Sequence, residues 1–363
     1  MPDRAYLVLE DGAVFEGRGF GAEGDVVGEA VFTTGMTGYL ETLTDKSYYG
    51  QIVTQTFPLI GNYGVIPEDF ESDSVAVKGY IVRQWCQEPS NFRSRGDLDA
   101  FLRARGVVGL CGIDTRRLTK IIRERGVMNA MITRRPDRAD MSAIRDYRIS
   151  GALAAVSSKA PHTAGAGGRY SVALMDYGLK ENIKRELLKR GCDVTVFPHD
   201  TPAGAILASR PDGIMLSNGP GDPRDGENAP VVSALRELCA SGTPMFGICL
   251  GHQLLALAHG FGVEKLKYGH RGANQPAKEL TTGKTYITSQ NHGYAVVSGS
   301  IDGAAAGEWF VNVNDGTNEG IIYKSEPIFS VQFHPEAASG PRDTSFLFDR
   351  FTDSMGVKRN AAR

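Results

Sequence analysis

Three residues in the second half of the chain have the types and order of an acyl-transfer centre: Cys249, His334 and Glu336. Cys249 is the middle of Gly247-Ile248-Cys249-Leu250-Gly251, which lies between an apolar run, PMFGI, and a helix-like run, HQLLALAH. That is the strand, sharp turn and helix context of a nucleophile elbow with cysteine in place of serine. The flanking glycines answer a mechanical need, because a Cβ on either side opposes the turn and the close packing it requires. A thiol at a helix amino terminus also faces the positive end of the helix dipole, which favours thiolate. The plain alternative is a small buried apolar residue, as free cysteines often are.

A thiol nucleophile needs a proton acceptor, and His334 in VQFHPE supplies one, with Glu336 two residues on as its orienting carboxylate. Pro335 between them cannot join a strand ladder, so the pair is expected where the strand IFSVQF ends. Two other histidines compete: His252 adjoins the nucleophile but points along the helix, and His292 lies in the turn-like NHG. Donors for a developing oxyanion are expected from Ser217-Asn218-Gly219-Pro220-Gly221-Asp222-Pro223, where the Gly221 N–H can act with that of Leu250, the residue after the nucleophile. An ordinary surface turn is the alternative, since Gly-Pro-Gly is common in turns.

These residues must be positioned by two halves of different texture. The chain has 363 residues, 41% hydrophobic and 23% charged, which suggests about two domains. Its net charge of -2, with both signs interspersed, gives no basic field for nucleic acid or an anionic membrane. No run approaches the roughly 18 apolar residues of a membrane span, and MPDRAYLVLEDG lacks the apolar core of a signal peptide, so a cytoplasmic location is expected. The five cysteines, Cys86, Cys111, Cys192, Cys239 and Cys249, are odd in number and without a CxxC pair, which argues against a disulfide framework or a thiolate zinc site. No metal site is expected.

Residues 1–156 read as an α+β domain: AYLVLE, AVFEG, VVGEAVFTT, QIVTQTF and SVAVKGYIV are β-type runs, with helices predicted over 97–105 and 114–125. Residues 157–169, small and Gly-rich, read as a linker. Residues 170–358 alternate strand and helix, the pattern of a doubly wound, mostly parallel α/β sheet, and return to β runs beyond Gly260 before a helix predicted over 344–355. Two phosphate-binding patterns fail on context. Gly283-Lys284-Thr285 lacks the first glycine of a P-loop, and the G-x-G-x-x-G of residues 19–24 runs into a strand, so it reads as a hairpin turn.

The combination NGPGDP, GICLGHQ and FHPE resembles class I (triad-type) glutamine amidotransferases. TGMTGYLETLTDKSY, LIGNYGV, CGIDTRRLTKIIRERG, DYGLKENI and SQNHGYAV are similar to the small subunits of carbamoyl-phosphate synthetase, so that the resemblance covers nearly the whole chain. Departures are small: Ala338-Ser339 stands where many relatives have Ser-Pro, and Tyr294 where many have Phe. The resemblance implies that Cys249 attacks the side-chain amide of glutamine, His334 serves as base and then acid, and Glu336 orients the imidazole. It further implies glutamine contacts from Ser47, Gly219, Gly221, Leu250, Gln253, Asn291, Gly293 and Tyr294, a site drawn from both domains.

By the same resemblance the partner is a large synthetase subunit that receives ammonia and makes carbamoyl phosphate from bicarbonate, using ATP and Mg, with no cofactor on this chain. Two other readings stay open at this point. One is a free-standing cysteine hydrolase of γ-glutamyl amides, and the other is a silent interaction module that keeps the fold.

Overall fold

The computed structural model describes residues 4–361, which divide into one unit ending at Ser150 and a second beginning at Gly151. In the first unit seven strands close a barrel: β1 (Arg4–Leu9), β2 (Val14–Gly21), β3 (Val26–Thr33), β4 (Gln51–Ile60), β5 (Gly79–Trp85), β6 (Val108–Cys111) and β7 (Met128–Thr133), in the order β1-β2-β6-β5-β4-β3-β7. The run β3, β4, β5, β6 is parallel and the remaining pairs are antiparallel. Consecutive residues Ile52 and Val53, and Ile81 and Val82, are all buried, so both faces of these parallel strands are covered. The predicted helices form over Leu98–Ala104 and Thr115–Arg125, where Asp97 and Asp114 accept from the N–H of Ala100 and Arg117. Gly126 ends the second at φ 100.

Two expectations for this unit are corrected. SVAVKGYIV is a strand only from Gly79 onward. The G-x-G-x-x-G segment is not a hairpin turn: it connects β2 to β3, but β2 pairs with β1 and β6, and β3 with β4 and β7. Barrel closure overrides the local hairpin signal, because a chain that turns in glycines need not pair with the strand it has just left.

The second unit is one ten-stranded sheet. Its strands are β8 (His162–Ala164), β9 (Tyr170–Asp176), β10 (Cys192–Pro198), β11 (Gly213–Leu216), β12 (Met245–Ile248), β13 (Val263–Glu279), β14 (Thr285–Val296), β15 (Ala306–Asn312), β16 (Asn318–Tyr323) and β17 (Ile328–Val331), ordered β14-β13-β15-β16-β17-β12-β11-β9-β10-β8. The centre, β10-β9-β11-β12-β17, is parallel and the flanks are antiparallel. It is wound on both faces. Ala173 and Met175 of β9 pack with residues of helices Ala203–Ala208, Ala229–Ala240 and Leu250–Ala258, while Val172 and Leu174 pack with residues of Glu181–Lys189 and Phe346–Ala361.

Residues 157–169 lie inside this unit, not between the two, because β8 pairs antiparallel with β10 at the sheet edge. A three-residue edge strand needs only backbone pairing and leaves no apolar period to read. The NHG segment, expected as a turn, is the interior of β14: His292 pairs with His270 and Asn291 with Arg271 across the ladder to β13. Gly283 and Lys284 form the tight turn between β13 and β14, with the Gly283 N–H donating to the Glu279 carbonyl at 2.8 Å. Among the described residues no helix is long and apolar enough to cross a membrane.

Candidate active site

Cys249 sits between the end of β12 and the helix Leu250–Ala258 with φ 53 and ψ -103, one of three non-glycine residues at positive φ among the described residues. Such a conformation is strained for a side-chain-bearing residue and holds only where its surroundings fix it. Here the Cys249 N–H donates to the Val331 carbonyl at 2.9 Å, and the Gly251 N–H to the Ser217 carbonyl at 3.1 Å. The expected need for glycine is borne out on both sides. A Cβ on Gly247 falls 2.8 Å from Leu255 Cδ1 and 2.9 Å from the Gly251 carbonyl carbon, and one on Gly251 falls 2.6 Å from the Leu216 oxygen. Cys249 is 2% exposed, and its thiol lies 3.7 Å from the Asn291 carbonyl oxygen.

His334 follows β17, at its carboxyl end, where its N–H donates to the Ser289 carbonyl at 2.9 Å. The ring and Glu336 are buried, and His334 Nδ1 meets Glu336 Oε1 at 2.6 Å. Lys180 Nζ stands 3.6 Å from the same oxygen, and Asn182 Nδ2 donates to the Glu336 carbonyl. His334 Nε2 has no hydrogen-bond partner. Burial works against charge on His334 and Lys180 adds to that, yet Glu336 and Cys249 outweigh both and raise its pKa to about 9. Burial likewise opposes charge on Glu336, but His334 and then Lys180 hold it below the usual carboxylate range. The result is a proton acceptor of high affinity, oriented through Nδ1 by Glu336.

A pH dependence of stability follows, with its sign fixed by these directions. His334 has a folded pKa above its unfolded one, so its contribution is full below about 6.5 and is lost as pH rises through about 9. Glu336 has a depressed folded pKa, so its contribution is present above its unfolded value and is lost as pH falls through the folded one. Urea midpoints across this range should decline above neutrality in the wild type, and less so in Glu336→Gln. Parallel curves for the two proteins would contradict the coupling.

The Ser217–Pro223 loop is not a surface turn at its base. Ser217 and Asn218 are fully buried. Ser217 Oγ accepts from the Tyr177 N–H at 2.9 Å, and Asn218 Oδ1 accepts from the Lys180 N–H at 3.1 Å. A Cβ on Gly219 collides with the Tyr177 carbonyl oxygen, and Gly221 has φ 93. At the loop's outer end Asp222 holds Arg224 through Oδ1 at 2.9 Å and Oδ2 at 2.8 Å, and the Arg224 guanidinium lies 5.3 Å from the centre of the Tyr294 ring. Leu250 is the first residue of the elbow helix, whose N–H has no carbonyl within the helix to reach.

Gln253, one turn along that helix and buried, donates Nε2 to the Tyr294 carbonyl at 2.8 Å and to Gln332 Oε1 at 2.9 Å. It thereby fixes the strand that carries Asn291, Gly293 and Tyr294. Ser47 belongs to the first unit. It is buried in the short turn Lys46–Tyr48, where its N–H donates to Asp45 Oδ1 at 2.8 Å. His252 is excluded as a competitor by its surroundings: it is fully buried, its Nδ1 is 2.8 Å from Ser330 Oγ, and burial pushes its pKa down to about 3. Lys180 and Asn182, which brace Glu336, were not singled out from the sequence; their only signal is their place in DYGLKENI.

The family described as carbamoyl-phosphate synthase small chain, CPSase domain, matches residues 7–132, and the family described as glutamine amidotransferase class-I matches residues 173–354. A carbamoyl phosphate synthase small chain of Listeria monocytogenes serotype 4b is 49% identical, the match covering 98% of this chain and 98% of the relative. One from Bacillus cereus is 50% identical over 96% of this chain and 95% of the relative. A pyrimidine-specific small chain of Halalkalibacterium halodurans is 48% identical over 99% of both. The chain belongs to the carbamoyl phosphate synthase small chain family and carries a class I glutamine amidotransferase domain.

Proposed function

We propose that this chain is the glutaminase half of carbamoyl phosphate synthesis, with Cys249, His334 and Glu336 as its triad. The observation that carries the reading is the buried His334–Glu336 pair at 2.6 Å, which interacts electrostatically with a cysteine held in an elbow at φ 53. Cys249 Sγ, its proton already passed to His334, attacks the side-chain amide carbon of glutamine. The N–H groups of Leu250 and Gly221 receive the developing oxyanion. The carbon–nitrogen bond then breaks, His334 returns the proton to the departing ammonia, and a thioester remains on Cys249. Water, giving a proton to His334, hydrolyses that thioester to glutamate and restores the thiol.

Glutamine is held in this reading by Gly219, Gln253, Asn291, Gly293 and Tyr294, and by Ser47 on the strength of the family resemblance. The partner is a large synthetase subunit in the cytoplasm, which takes the ammonia and uses ATP and Mg with bicarbonate, so that no cofactor is required here. A free-standing hydrolase reaches full glutamine turnover alone. The proposed subunit instead copurifies with a large ATP-using chain and supports glutamine-dependent carbamoyl phosphate formation only with it. Full turnover by the isolated chain, with no such partner recovered from native extract, overturns the proposal.

Gly221→Ile is expected to slow glutamine hydrolysis by about 10²-fold or more while the chain stays folded. A side chain at φ 93 forces the loop to rearrange and intrudes where the oxyanion must sit. Wild-type hydrolysis by the folded variant removes the loop from the mechanism. Ser47→Ala should act chiefly on KM, lowering the specificity constant by about ten- to a hundredfold through a lost hydrogen bond to a charged group. Unchanged steady-state kinetics remove Ser47 from the substrate contacts.

A further inference from the structure

Three side chains of the second unit that the proposed chemistry does not use converge in the interior. They are His270 on β13, His292 on β14 and Glu319 on β16, and one ligand atom from each lies within 4.8 Å of the others. One nitrogen of each ring is committed to an acceptor: His270 Nε2 lies 2.8 Å from Asp315 Oδ2, and His292 Nδ1 lies 2.8 Å from the Tyr294 carbonyl oxygen. Those nitrogens therefore carry the ring protons, and in neutral imidazole the other nitrogen is a bare lone pair.

Among the described residues, His270 Nδ1 and Glu319 Oε2 are buried without a hydrogen-bond partner. His270 Nδ1 stands 3.5 Å from Glu319 Oε1. His292 Nε2 meets the Gln290 side-chain amide at 3.1 Å. Glu319 is 0% exposed; its Oε1 accepts from Asn312 Nδ2 at 3.0 Å, and its Oε2 has no partner. Unpaired buried groups of this kind are costly and call for a missing partner. A second proton on His270 serves its Nδ1 and Glu319 Oε1, whereas a divalent cation engages all three side chains.

We propose that His270 Nδ1, His292 Nε2 and the Glu319 carboxylate bind one divalent transition-metal ion of the zinc class. Two imidazoles and a carboxylate are a suitable donor set for such an ion. Asp315 on the far nitrogen of His270 and the Tyr294 carbonyl on that of His292 are the outer partners that fix the tautomer and orientation of metal-bound imidazoles. The ion ties β14, which carries Asn291 and Gly293, to β13 and β16. Positions 270, 292 and 319 form no short motif, so sequence spacing does not announce them. The other grouping of this kind, Cys239, His259 and Glu326, leaves no ring nitrogen over: His259 Nδ1 meets the Leu255 carbonyl and Nε2 the Glu326 carboxylate, each at 2.8 Å.

The test is titration of the metal-free full-length chain with Co²⁺ and then Zn²⁺. One equivalent of Co²⁺ per chain should bind with ligand-field absorption free of thiolate charge-transfer bands, and Zn²⁺ should displace it. Glu319→Gln and His270→Asn should each weaken binding at least tenfold, and His259→Asn should leave it intact. Zn²⁺ should raise the melting temperature of the wild type and of His259→Asn, but not of Glu319→Gln. Absence of stoichiometric metal on the wild type overturns the proposal whether or not the variants fold. Equal binding by all variants, or thiolate bands in the Co²⁺ complex, overturns it as well.

Discussion

Replacing Cys249 by serine is expected to lower glutamine-dependent carbamoyl phosphate formation by about 10³-fold or more, while synthesis from added ammonia by the assembled complex is unchanged. The size follows from removing a nucleophile whose partners act with it as a unit, so that its loss alone costs nearly what loss of the whole set costs. The selectivity follows from the division of labour proposed above, in which only ammonia release occurs on this chain. Serine is close in size to cysteine, and the elbow is fixed by backbone bonds to Val331 and Ser217 that do not involve the thiol. Assays with glutamine and with ammonia on one preparation decide the matter. Parallel loss of both activities in an intact complex defeats it.

His334→Asn is expected to lower glutamine hydrolysis by about 10²- to 10⁴-fold, the usual worth of a positioned acid–base group. It should also destabilise the chain, unlike the serine variant. Glu336 is buried and loses the partner that holds its charge, and removing one member of a buried pair costs about 3–5 kcal/mol. Lys180, at 3.6 Å, remains as partial compensation. Thermal melts beside the kinetics separate the two effects: a lower melting temperature together with the rate loss fits, and normal hydrolysis by a folded variant removes His334 from the mechanism.

Much of this architecture is legible in the residues themselves, for identifiable reasons. The alternation from Tyr170 to Ala258 reports the wound sheet because strands buried on both faces are apolar throughout and the helices between them carry their own period. Gly247 and Gly251 report the elbow because the geometry leaves no room for a Cβ at either position. What was not legible depends on pairing between distant strands. His292 reads as part of a turn in NHG, yet its pairing with His270 makes that segment strand interior. The glycines of residues 19–24 suggest a hairpin, yet barrel closure sends β2 and β3 to different neighbours. Lys180 carries no local signal of its bond to Glu336, 156 residues away by number (336 − 180), since a lysine one residue before a helix is ordinarily a solvated charge.

The central claim is that Cys249 forms the covalent bond to glutamine. It is tested most directly by treating the complex with a chloroketone analogue of glutamine and mapping the alkylated residue by mass spectrometry. Of the five free cysteines, Cys86 alone is not buried, so unguided alkylation should fall there. The account predicts one label per chain on Cys249, protection by glutamine, and loss of glutamine-dependent but not ammonia-dependent synthesis in step with labelling. Labelling confined to Cys86 with the same loss, or full glutamine turnover by chains alkylated at Cys249, would contradict it.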